Sequence, residues 1–380
     1  MHIIPIASGK GGVGKSLVAA NLSIALAQTG RKVVIVDLDL GGSNLHVILG
    51  QMGSLKGIGT YMTADDVSFE DIILDTSYKN LRFIAGEAEV PGMANLKVTQ
   101  KKKIINNLLK LDADYLIIDL GAGTSIDIMD FFLMSGRGLI VTSPTLTANL
   151  NAYLFLKNIS FRLLNNCFPA KSPGGQYLTK LKKDGHSLQK VYIPKLVDQL
   201  YKIDPENSNK YNDIIKSLRP RLILNLMEEP KDAAKATKLR HSSREYLGLD
   251  LEHLGVIYRD DIQIKALNSR LPVIKYKPGA IISQAIFRIA DKLIEEEDTV
   301  DDPLLNIDLD NSFKEAELEA ETDFESRMEY LNDLLYTDNF SVSDLIETVK
   351  SQQYEISQLK KENNLLKTKL VNAVKSGFIV

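Results

Sequence analysis

The stretch Gly9-Lys10-Gly11-Gly12-Val13-Gly14-Lys15-Ser16 decides how this 380-residue chain is read. Before it lies a short apolar run, residues 3–7, with strand character. After it, Leu17, Ala20, Leu22, Ala25 and Leu26 give helical spacing over 16–29, and Gly30 supplies the stop. The spacing G-x-x-x-x-G-K-[ST] is that of a loop that wraps phosphates. Its glycines let successive backbone N–H groups turn towards phosphate oxygens, and the helix start adds a favourable dipole. In such a loop Lys15 neutralises the β- and γ-phosphates and the Ser16 hydroxyl ligates Mg²⁺. Gly11, Gly12, Val13, Gly14 and Leu17 complete the expected nucleotide contacts.

Outward from the loop, short Val/Ile/Leu runs recur at 32–37, 81–85, 115–119, 138–142, 221–225 and 254–257. Near-continuous apolar strands are expected where both faces of a parallel sheet are covered. Helical candidates lie between them at 101–110, 149–165, 262–271 and 280–296. This alternation predicts an α/β fold with a doubly wound, mostly parallel sheet over residues 1–294. The alternation lapses at about 166–220, a segment richer in lysine and arginine than in acids, with a possible amphipathic helix at 187–203. It reads as a helical insertion, either a solvated excursion or a surface for a polyanion or acidic membrane.

The formal net charge of −3 hides a strong asymmetry: residues 295–325 hold fourteen acids against one base, Lys314. The rest of the chain is net basic. This segregation predicts an acidic linker over 295–340, part-helical from 313 to 335, beside a mildly basic globular part. Beyond it, residues 341–380 carry a heptad pattern with Val349, Ile356, Asn363 and Leu370 at a, and Leu345, Gln352, Leu359, Leu366 and Ala373 at d. That pattern suits a parallel two-stranded coiled coil, the alternative being an amphipathic helix docked on its own domain. A single cysteine, Cys167, excludes a disulfide framework and any iron–sulfur cluster held by this chain's thiolates alone. The longest charge-free run, 138–156, is interrupted by Thr, Ser, Asn and Pro and does not read as a membrane span, and no secretory signal precedes the loop. A cytoplasmic protein is expected.

Lys10 is a second lysine inside the phosphate loop, and other landmarks follow it in order. They are Asp37-Leu38-Asp39-Leu40-Gly41-Gly42-Ser43-Asn44-Leu45 after the second strand and Ile117-Ile118-Asp119-Leu120-Gly121-Ala122-Gly123 at the end of another. Together they resemble the MinD/ParA family of deviant Walker A P-loop ATPases, within it the FlhG-type and MinD-like site-determining branch. The resemblance implies that Lys10 reaches across an ATP-bound dimer to the partner's phosphates. It implies a switch I role for Asp39, orienting water and joining Ser16 and Asp119 around Mg²⁺, and a γ-phosphate contact for the Gly123 N–H. It places Asn225, at the end of the strand 221–225, on the purine edge. Tyr258 stands where the family's final loop usually has proline, and His46 where an acid is common.

The resemblance thus implies an ATP- and Mg²⁺-dependent homodimer that hydrolyses ATP slowly and controls the position or number of a cellular structure. The heptad helix favours a protein partner over direct membrane anchoring, although a peripheral or polar location stays open. A ParA-like protein riding on non-specific DNA is the second reading, supported by the basic globular part and weakened by its diffuse charge.

Overall fold

The computed structural model describes residues 1–51, 56–86, 96–183, 192–299 and 309–336, together with Lys350, Gln353, Ser357, Asn363 and Leu366, each in a helix. One eight-stranded sheet organises it. The strands are β1 (His2–Ser8), β2 (Val33–Leu38), β3 (Ile73–Asp75), β4 (Leu81–Ile84), β5 (Tyr115–Ala122), β6 (Leu139–Thr142), β7 (Arg221–Met227) and β8 (Glu252–Tyr258). Their order across the sheet is β3-β4-β2-β5-β1-β6-β7-β8, and all neighbours run parallel except β3, which is antiparallel to β4. The seven apolar runs legible in the sequence are all strands. β3 has three residues, too few to show a period.

Burial explains the composition of the central strands. Every residue of β2, Val-Val-Ile-Val-Asp-Leu, is buried, because helices cover both faces of the sheet. The principal helices are α1 (Lys15–Gln28), α2 (Val98–Leu108), α3 (Ile126–Phe132), α4 (Leu146–Cys167), α5 (Pro173–Lys183), α6 (Ile193–Ile203), α7 (Pro205–Ser217), α8 (Ala234–Leu247), α9 (Ile281–Thr299) and α10 (Leu309–Tyr336). α1 and α9 share one core with the sheet: Leu22, Leu26, Ile35, Ile117, Ile286 and Ile289 are all buried in it. The β2–β5 pairing brings Asp37 opposite Asp119 at the strand tips, beside the end of β1.

The stretch between β6 and β7, where the alternation lapses, is helical, and it still returns the chain to a strand adjacent and parallel to β6. Within it α6 turns Ile193, Leu196 and Leu200 inward, as its apolar spacing demands, and Asp204 caps α7 by accepting from the Asn207 N–H.

The acidic segment does not behave as the linker expected over 295–340. α9 runs to Thr299, and α10 begins at Leu309 with Phe313, Ala316, Ala320 and Asp323 buried. The chain divides into two compact units, Met1–Asp323 and Phe324–Val380, so the expected domain end at 294 lies inside the first. Composition misled here because three of the acids, Asp310, Glu319 and Asp323, pair with bases of the domain instead of all facing water. The second unit contains the remainder of α10 and the five isolated helical positions. The heptad register and the coiled coil expected over 341–380 fall outside the described residues.

Candidate nucleotide site

The phosphate loop joins β1 to α1 in the manner the sequence demands. Gly12 and Gly14 have φ of +83° and +85°, left-handed backbone that a side chain would strain. A Cβ on Gly12 would meet nothing within 4 Å, whereas one on Gly14 would lie 2.2 Å from the Asn225 Nδ2. The loop therefore faces open space in front and is backed tightly behind. α1 starts from Gly14 without a side-chain cap and without an acid in its first turn, which leaves its first N–H groups available to an anion.

Gly11, Gly12, Gly14, Lys15, Ser16, Leu17 and Asp39 line one cavity of about 300 Å³. That volume is at the lower end of what small-molecule sites enclose. Lys15 is 6% exposed, and its Nζ stands 2.5 Å from Asp119 Oδ1 and 3.3 Å from Ser16 Oγ. Burial raises the Asp119 pKa, against the downward pull of Lys15 and Ser16. The loop lysine, the hydroxyl and the strand-end carboxylate are thus gathered at one point. This donor set fits a nucleotide with Mg²⁺: one hydroxyl oxygen and one carboxylate, completed by phosphate oxygens and water, is how that ion is commonly held.

Asp37 is buried completely and accepts from the Asp39 N–H at 3.0 Å, the Ser43 hydroxyl at 2.6 Å and the Leu45 N–H at 3.2 Å. It fixes the loop that carries Asp39. Burial and the neighbouring Asp119 lift its pKa to about 6. The Asp39 carboxylate lies over Gly121, where a Cβ would come within 3.2 Å of it, so this glycine is what lets the two segments meet. α3, just beyond them, is held by Asp130, which accepts from Arg162 and Lys101, and by Asp127, 2.8 Å from Lys101.

Val13 packs its side chain into the core, 4% exposed, which leaves its backbone N–H as the group that could meet a phosphate. Three expected contacts are placed differently. Asn225 is buried behind the loop and donates to the Val13 carbonyl at 2.8 Å; it braces the loop rather than facing a purine. The Gly123 N–H is engaged with the Ser8 carbonyl at 3.0 Å, so a γ-phosphate contact requires that bond to open. Lys10 is exposed and does not line its own cavity; its Nζ donates to Thr147 Oγ1 at 3.2 Å.

The cavity is also lined by Leu271, Pro272 and Val273, from the segment compared with the family's final loop, and by Ile48, Gln263 and Leu267, which the sequence reading did not single out. Gln263 and Leu267 are one turn apart on the short helix Ile262–Asn268. Asn21, buried in the apolar face of α1, accepts from the Ile274 N–H at 3.1 Å and ties this wall to the loop helix. A buried amide in an otherwise apolar helix was the available signal.

A mostly parallel sheet with a glycine loop, a buried lysine and a strand-end carboxylate at its carboxyl edge is the arrangement of a P-loop nucleotide site. The ParA family model, described as NUBPL iron-transfer P-loop NTPase, matches residues 1–162. The septum site-determining protein MinD of Helicobacter pylori is 36% identical over 147 residues, covering 38% of this chain and 54% of that protein. The antiactivator FleN of Pseudomonas aeruginosa is 28% identical over 197 residues, 48% of this chain and 68% of FleN. The chain thus spans about half the length of the curated MinD relatives it matches. Among solved structures, MinD of Pyrococcus horikoshii complexed with Mg-ADP shares the fold with a TM-score of 0.52 and 23% identity, covering 78% of this chain and 97% of that one. MinD of Pyrococcus furiosus does so with a TM-score of 0.53 and 24% identity, covering 78% and 99%.

Proposed function

We propose that this chain is an ATP-dependent dimerising switch of the MinD/FlhG type, which hydrolyses ATP and through its assembly state governs the position or number of a cellular structure. The observation that carries the reading is the division of labour between two lysines. Lys15 is buried against Asp119 inside the cavity, while Lys10 is held by Thr147 on the outside, unable to serve its own site from there. A cation on the rim is suited to a phosphate presented by a second copy. Apolar side chains exposed on the helix that carries Thr147, Leu146 and Leu150, would be covered by such a copy.

In the proposed cycle the loop N–H groups and Lys15 bind the phosphates, Ser16 and Asp119 hold Mg²⁺, and Asp39 orients the attacking water. Lys10 of each protomer then stabilises charge developing on the other's γ-phosphate, as an arginine finger does in trans. The Mg-ADP held by MinD of Pyrococcus horikoshii supports these ligands. The complex of MinC with MinD supports a protein partner for the assembled form. A cytoplasmic or peripheral membrane location belongs to the same proposal; separately, no helix among the described residues is long and apolar enough to cross a membrane. The lysines Lys180, Lys182 and Lys183, exposed at the end of α5, give the DNA-riding alternative a surface. DNA binding confined to the ATP state and falling steeply with salt would select it.

The test is Lys10→Ala. Nucleotide affinity should stay within threefold of wild type while concentration-dependent turnover falls at least tenfold, by about 1.4 kcal/mol of transition-state stabilisation or more. Unchanged turnover refutes the assignment.

A further inference from the structure

We infer that the acidic segment 309–323 is a strap that positions the outer wall of the nucleotide cavity through Tyr258. The inference rests on the nucleotide reading of that cavity and goes beyond it. Phe313, Ala316, Ala320 and Asp323 recur at helical spacing and are buried, so one face of this segment is sealed against the domain. Phe313 meets the His253 ring edge-on at 5.1 Å, with the Arg240 guanidinium 4.8 Å from its own ring centre. Three ion pairs clamp the same segment: Asp310 to Arg240 at 2.7 Å, Glu319 to Lys292 at 2.7 Å and Asp323 to Arg288 at 2.6 Å. Their bases come from α8 and α9. Gly255 of β8 lies beneath both neighbours: a Cβ there would clash with Ile289 of α9 at 2.8 Å and would touch the Glu319 carboxylate at an ordinary 3.6 Å.

A purely structural cover would need no link to the site, and here there is one. The Tyr258 hydroxyl, buried beneath the strap, donates to the Ala320 carbonyl at 2.7 Å. Tyr258 is the last residue of β8. From it the chain passes Arg259, whose N–H donates to the Met227 carbonyl, and reaches within five residues the side chain of Gln263 on the cavity wall. A second route exists through α9, which carries Arg288 and Lys292 on one side and packs on α1 with the other.

The experiment follows hydrogen exchange of the amides of 262–268 in the full chain, together with the Kd for a fluorescent ADP analogue. Tyr258→Phe removes one hydroxyl and keeps the ring. Asp323→Arg breaks one clamp, and its combination with Arg288→Asp restores the pair in reverse. Both single variants should speed exchange at 262–268 at least threefold and weaken ADP binding about threefold to tenfold, the span of one hydrogen bond. The reversed pair should recover both. Faster exchange of 309–323 with 262–268 and Kd unchanged would overturn the inference, as would no change at 262–268 in either single variant. Wild-type protein that takes up no nucleotide would instead defeat the reading of the site, while the exchange at 262–268 would still decide the strap.

Discussion

The tips of β1, β2 and β5 and the outer edge at β8 both set carboxylates against cations, and they do so to opposite ends. At the tips, Lys15 and Asp119 neutralise each other across 2.5 Å next to a cavity, with glycines keeping the approach open. At the edge, Arg288 with Asp323 and Lys292 with Glu319 join α9 to α10, the carboxylates more buried than the partly exposed bases. A pair beside a cavity can exchange its partner for a ligand; a pair beneath a packed helix serves to place that helix. The same chemical contact is therefore a site in one region and a fastening in the other, and access makes the difference.

Breaking the pair at the tips should have the largest effect. Lys15→Ala leaves Asp119 buried without its cation and takes away the loop's charge for phosphate, so nucleotide affinity should drop at least a hundredfold by equilibrium titration. Asp39→Ala sharpens the contrast within the site: binding should persist while hydrolysis falls by about a hundredfold. An ATP-bound dimer would then accumulate and be visible by size-exclusion chromatography with ATP.

The edge should respond in stability rather than in turnover. His253 lies under Phe313 with both ring nitrogens buried and unpartnered among the described residues, and burial, with Lys292 nearby, pushes its pKa from 6.5 down to about 3. The unfolded ring takes up its proton near pH 6.5 and the folded one resists, so the folded state loses stability as pH falls from 6.5 towards 3. The loss approaches 1.4 kcal/mol per pH unit. Between pH 7 and pH 5 the wild type should therefore lose about 2 kcal/mol more than His253→Phe, measured by urea unfolding at each pH. Equal losses would mean that His253 is not the titrating group. The smallest effect is expected from the solvent-exposed pair of Lys32 and Asp112, where Asp112→Asn should leave the thermal midpoint unchanged.

How much of this was legible depended on how far apart the cooperating residues lie in the chain. Gly9 to Ser16 could be read directly because the loop's chemistry is local: the glycines, the lysine and the helix start are consecutive. The seven longer strands were legible from their unbroken apolar runs. Asn225 was found as a strand end but read as a base contact, since nothing local shows that it lies behind Gly14, more than two hundred positions away. Gln263 and Leu267 passed unnoticed for a similar reason, because a glutamine and a leucine one turn apart suit any surface helix.

The sequence by itself determined the phosphate loop, the parallel sheet behind it and the segregation of acid at 295–325, since each is written in neighbouring residues and their periodicity. Only the tertiary structure decided that part of this acid is a packed helix, that Tyr258 reaches its backbone, and that Lys10 points away from the cavity Lys15 occupies. Charge pattern records how many carboxylates a segment holds, but whether they face water or a buried arginine depends on which distant elements the fold brings alongside.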